Sequence, residues 1–100
     1  MYAVATEVPA PAEVYDAIHA ELLRRTEGPV EGLLVHIGRA TPSGFEVIEV
    51  WESREQFERY TQEVDSLAAE LFQGVLPSAA PAPEEIDLRG LLIPAAKIFR

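Results

Sequence analysis

The chain has no cysteine among its 100 residues. Disulfides, thiolate nucleophiles and cysteine metal sites are therefore excluded. Basic residues are scarce: 8 lysines and arginines stand against 17 acidic residues, for a formal charge of −9. Neutralising phosphate needs a basic face and none is visible, so neither nucleic acid nor an anionic membrane surface is an expected partner. The acidic residues are spread without a long run, which reads as a soluble, mutually repelling surface. Long apolar runs are missing too: nothing approaches the ~20 residues that span a bilayer, and Met-Tyr-Ala-Val lacks the basic start of a secretion signal. The expected location is the cytoplasm.

What is present is a 48% hydrophobic content in a chain of single-domain length. That is enough for a packed core, with apolar surface to spare for a partner subunit. Tyr2 to Val8 is rich in β-formers and predicts a first strand. After the break at "PAPAE", Val14, Ile18 and Leu22, with Ala17 beside them, predict a helix from Glu13 to Arg25. Arg24 and Arg25 suit the negative pole of its dipole, and "EGPVEG" ends it.

"GLLVHIGRA" and "GFEVIEVWE" flank the turn signal Thr41-Pro-Ser-Gly44 and predict a hairpin. Setting Ala40 opposite Phe45 pairs Arg39 with Glu46, Ile37 with Ile48, His36 with Glu49, Val35 with Val50 and Leu34 with Trp51. A one-residue slip loses both polar pairs. Ser53-Arg-Glu-Gln56 matches a capping box. Phe57, Tyr60, Val64, Leu67, Ala68 and Leu71 then predict a long amphipathic helix, with Gly74 as its stop. "LPSAAPAPEE" predicts an irregular connection, and "EIDLRGLLI" a last strand ended by Pro94. The tail "AAKIF" either extends the pairing or crosses to a partner.

The predicted order is β-α-β-β-α-β. This is the α+β, ferredoxin-like pattern, a four-stranded antiparallel sheet with both helices on one face. Here the chain resembles the dimeric α/β-barrel proteins, in particular the antibiotic-biosynthesis-monooxygenase-like group. The resemblance covers most of the chain. It lies in element order, length and "EVWESREQFERY", a strand ending in an aromatic, a polar capping sequence, and a helix opening with Phe.

That resemblance implies a homodimer whose sheets pack into a barrel. It also implies a family range of activities that includes cofactor-independent quinol oxygenation, haem degradation, chlorite chemistry and lactone isomerisation. Haem-degrading members use a strand Asn, and a Trp and a His on the second helix. Here the first strand offers Thr6 and Glu7, Tyr60 stands where that Trp is expected, and the chain has no asparagine. Haem is thus not expected. The quinol monooxygenases are matched at Trp51, but their nearby strand Asn has no counterpart among Val47, Ile48, Glu49 and Val50.

Candidate site residues follow from the hairpin register. His36 faces Glu49, and a carboxylate accepting from one imidazole nitrogen leaves the other as a base. The competing reading is a structural cross-strand hydrogen bond. Trp51 either lines a flat-ligand pocket or pins the sheet to the second helix; Tyr60 and Leu34 are its candidate pocket partners. His19, with Tyr15 and Leu23 on the flank of the first helix, reads as a surface residue. Glu7 has no assigned face. Arg89 is either an anion clamp or an edge-strand charge. Two ligating side chains are too few for a metal, and no cofactor is expected. The function expected is binding of a small apolar or aromatic molecule, with cofactor-independent oxygenation of a phenol or quinol by His36 and Glu49. The alternative is a non-catalytic ligand-binding or interaction protein of the same fold.

Overall fold

Residues 1–25, 30–72 and 82–100 are described by the computed structural model. Strand β1 (Tyr2–Val8) is followed by helix α1 (Ala12–Arg25), strands β2 (Leu33–Thr41) and β3 (Gly44–Trp51), helix α2 (Arg54–Leu71) and strand β4 (Glu84–Ile86). These four strands form one antiparallel sheet in the order β2-β3-β1-β4. The order is compatible with the ferredoxin-like pattern predicted from the sequence.

The hairpin register holds from Thr41 and Gly44 at the turn to Val35 and Val50, with Arg39 opposite Glu46 and His36 opposite Glu49. Arg39 Nε donates to Glu46 at 2.7 Å, so the pair that sets the register also forms. The pairing with Trp51 is different from that expected. A β-bulge shifts the register between Leu33 and Val35, so that Leu33 pairs with Trp51 and Leu34 is the extra residue.

Period-2 alternation places Val4, Val8, Phe45, Glu49 and Trp51 on one sheet face. Both helices pack there. Val14 of α1 joins Ala10 and Phe45 in one core cluster, and Phe57 of α2 joins Val4 and Trp51 in another. Phe72, just past α2, packs against the α1 cluster, so the helices run antiparallel. The predicted stripe of α1 is narrower than expected: Val14 is buried, Ile18 and Leu22 are half-buried, and Ala17 is exposed. Arg24 and Arg25 both pair with Glu21 one turn back.

Ser53 caps α2 as predicted, its hydroxyl accepting from the Gln56 N–H at 3.3 Å. The reciprocal half of the box differs. The Gln56 amide oxygen accepts from the Ser53 hydroxyl at 3.0 Å, rather than the side chain reaching the Ser53 N–H. Residues 27–29 of "EGPVEG", Gly74 and most of the connection "LPSAAPAPEE" fall on residues 26–29 and 73–81, outside the described ones.

The single long last strand is not formed. β4 has three residues, and residues 87–90 are irregular. Leu92–Ile93 (β5) then pairs with Ile98–Phe99 (β6) across a 3-10 turn at Pro94–Ala96. The tail therefore folds back on its own chain. Pro94 begins the turn, and Lys97, in the left-handed region at φ 58°, closes it. Arg100 pairs with Glu52 at 2.5 Å and ties this hairpin to the end of β3.

Candidate functional site

The hairpin register brings His36 and Glu49 together on the helix-covered face. His36 Nδ1 lies 2.7 Å from Glu49 Oε2. A carboxylate can only accept, so Nδ1 carries a proton, and in that tautomer of the uncharged imidazole Nε2 presents a lone pair. That second nitrogen is not open, contrary to the sequence expectation. It lies 2.8 Å from the Tyr15 hydroxyl, which donates to it. On its other side Glu49 accepts from the Trp51 indole N–H at 3.4 Å. The result is a continuous chain, Trp51–Glu49–His36–Tyr15, running from β3 through β2 to α1.

Tyr15 is the residue that sequence reasoning missed. It sits on the α1 flank facing β2, and Gly38 lets it lie against that strand. A Cβ at Gly38 would stand 2.2 Å from the Tyr15 ring. His19, one turn later, is half-buried and stacks on both partners, with ring centroids 5.3 Å from Tyr15 and 5.7 Å from His36. It belongs to this cluster rather than to the open surface. Two signals were available: Tyr15 and His19 spaced i, i+4, and a strand glycine two residues after His36, where a close approach is expected.

Burial shapes the electrostatics. Glu49 is the buried charged residue of the core, 7% exposed. Among the described residues no buried side-chain polar atom lacks a partner. Desolvation and the Glu49 charge, with a contribution from Asp16, raise the Tyr15 pKa, so the phenol keeps its proton and serves as donor. Tyr60 is also raised, chiefly by burial and then by Glu49, Glu63 and Tyr15. Tyr60 thus feels the charge of the Glu49 chain, although it makes no hydrogen bond to it among those described.

Trp51 is 0% exposed, and Phe57 and Tyr60 pack on it at centroid distances of 6.3 and 5.3 Å. It is a core residue. It also closes the inner wall of a cleft of about 200 Å³ whose other apolar walls are Val30 and Tyr60. Gln56, Arg59, Glu31 and Glu63 supply its polar groups. With its face covered, Trp51 is a floor rather than a stacking surface, and Tyr60 is the accessible ring. Leu34 does not line this cleft; Leu33 packs against the Trp51 cluster in its place, because the bulge offsets the strand there. Neither His36 nor Tyr15 lines the cleft.

The remaining candidates lie apart. Arg89 is outside any strand and pairs with Asp87 at 2.9 Å, both side chains exposed. Glu7 is exposed at the far end of β1, opposite Glu46. Among the described residues no three His, Cys, Asp or Glu side chains are placed to hold a metal ion. No described helix is long and apolar enough to cross a membrane. Compared with known proteins, the chain matches no protein-family model and no curated sequence.

Proposed function

We propose that this chain is the subunit of a cytoplasmic homodimeric α/β barrel of the antibiotic-biosynthesis-monooxygenase-like group, which binds a small phenol or quinol and oxygenates it without a cofactor. The observation that carries the chemistry is the Glu49–His36–Tyr15 chain, with its 2.7 and 2.8 Å contacts. A substrate hydroxyl passes its proton to the Tyr15 oxygen while the Tyr15 proton passes to His36 Nε2. Glu49 holds the resulting imidazolium. The quinol anion supplies the electrons and dioxygen is the oxidant. One oxygen atom forms a C–O bond at a ring carbon, the other leaves as water, and the quinol emerges as a hydroxyquinone. The protein's part in this chemistry is the base and its orientation.

The dimer reading draws on the sheet face away from the helices. Val35 and Ile48 are half-buried there, and Ile37 is 50% exposed. Exposed apolar patches of this kind mark interfaces. Ala3 and Val50 on the same face are already buried, so the open part is its β2 half.

A second reading, a non-catalytic binding protein, is favoured by a specific observation: His36 Nε2 is already engaged, and neither it nor Tyr15 lines the cleft. Oxygen uptake on a panel of single-ring hydroquinones separates the two. Uptake above buffer that is lost in Tyr15→Phe and His36→Asn supports the oxygenase. No uptake alongside saturable quenching of Trp51 fluorescence leaves the binding protein.

A further inference from the structure

We infer that the cleft beside Trp51 selects a monocyclic aryl carboxylate, its ring against Tyr60 and Val30 and its carboxylate on Arg59. The inference rests on reading the cleft as the ligand site, and it deepens that reading by naming the ligand class.

Size comes first. Drug-sized sites occupy ~300–1,000 Å³. About 200 Å³ is enough for one aromatic ring and its substituents. Donors come next. Gln56, Arg59, Tyr60 and Glu63 follow one another at helical spacing and line the cleft from one face of α2. The Gln56 amide oxygen is occupied by the Ser53 hydroxyl, which leaves the NH2 end as donor. Burial keeps the Tyr60 hydroxyl protonated. The third donor is Arg59.

The pairing of the arginines is the observation that decides the sign. Arg24, Arg25, Arg39, Arg54, Arg89 and Arg100 each hold a carboxylate. Arg59 has no carboxylate partner among the described residues, although Glu55 and Glu63 stand one turn to either side of it on α2. Arg59 is instead one of the residues that line the cleft. Guanidinium matches a carboxylate in a two-pronged geometry, which gives direction as well as attraction. Glu31 and Glu63 also line the cleft and oppose an anion, so the preference depends on direct contact with Arg59 rather than on the general field.

Calorimetric titration of the intact protein with para-hydroxybenzoate, its methyl ester and para-hydroxybenzylamine tests this. The acid is expected to bind saturably, roughly tenfold tighter than the ester or the amine, which corresponds to about 1.4 kcal/mol. Raising the salt should weaken the acid and leave the ester unchanged. Arg59→Gln should bring the acid down to the ester, and Arg59→Lys should retain part of the preference. Arg59 is exposed on the helix, so both variants fold. Tighter binding of the amine would assign the cleft to cations through Glu31 and Glu63 and overturn the proposal. Equal binding of acid and ester, no binding of any of the three, or an unaltered preference in Arg59→Gln, would do the same. Oxygen uptake is a separate readout. Its absence on the hydroquinone panel, with the acid still bound, removes the oxygenase and leaves the ligand class standing.

Discussion

Tyr15 and Gly38 compete for the same space: a Cβ on Gly38 would come within 2.2 Å of Tyr15 Cζ and 2.5 Å of its hydroxyl oxygen. Gly38→Ala should therefore push Tyr15 off β2 and break its bond to His36. Overpacking of this kind costs about 1–3 kcal/mol. Tyr15→Phe keeps the ring and loses only the hydrogen bond, about 0.5–1.5 kcal/mol. Chemical denaturation of both variants measures the difference. Nitrogen NMR of His36 should report an Nδ1–H tautomer in the parent protein; an Nε2–H tautomer would contradict the donor assignment.

Glu49 raises both Tyr15 and Tyr60. Glu49→Gln should lower the pH at which these two phenols ionise, read from tyrosinate absorbance. The sign for stability follows from the same shifts. A folded-state pKa above the unfolded value means that the unfolded chain releases its proton first as pH rises. The stability from these tyrosines is complete below the ordinary phenol range and is lost as pH climbs through their folded values. Tyr15→Phe and Tyr60→Phe should each flatten that alkaline loss. A parent protein whose stability rises across this range would contradict the assignment.

Trp51→Ala should destabilise by about 3–5 kcal/mol, as large aromatic deletions from a core do. Trp51→Phe keeps most of the packing with Phe57 and removes the N–H donated to Glu49, so its cost should be smaller. Because Trp51 is the only tryptophan, its fluorescence reports cleft occupancy through Tyr60, which packs on it at a centroid distance of 5.3 Å. A Trp51→Ala protein as stable as the parent would show that the core is centred elsewhere.

Ile37, half exposed on the sheet face away from the helices, tests the dimer. Light scattering should give twice the single-chain mass for the parent protein and the single-chain mass for Ile37→Lys. Surface substitutions outside an interface fall within about ±0.5 kcal/mol. A parent protein at single-chain mass would remove the dimer.

The charge pairs made the fold legible. Arg39 with Glu46 and His36 with Glu49 could satisfy each other in one register only, and that register forms. Alternation along a strand carries no mark of an inserted residue, so the bulge, and with it the true partner of Trp51, was hidden. The His36–Glu49 contact was legible because both residues belong to one hairpin. Tyr15 was not, because its reach depends on how α1 crosses β2, a matter of tertiary packing. The last strand misled for another reason. "EIDLRGLLI" is apolar enough for continuous pairing, but only Glu84–Ile86 meet β1, residues 87–90 are irregular, and Leu92–Ile93 pairs with Ile98–Phe99.

The bulge at Leu34 has a consequence for how the protein survives at high concentration. β2 is an edge of the sheet, and an edge strand is a template on which another molecule can add its own. An added residue throws the hydrogen-bonding groups out of step, so an incoming strand aligned with Val35 to Thr41 loses its match at Leu34. Removing Leu34 should make that ladder continuous up to Leu33 and lengthen the edge open to another strand.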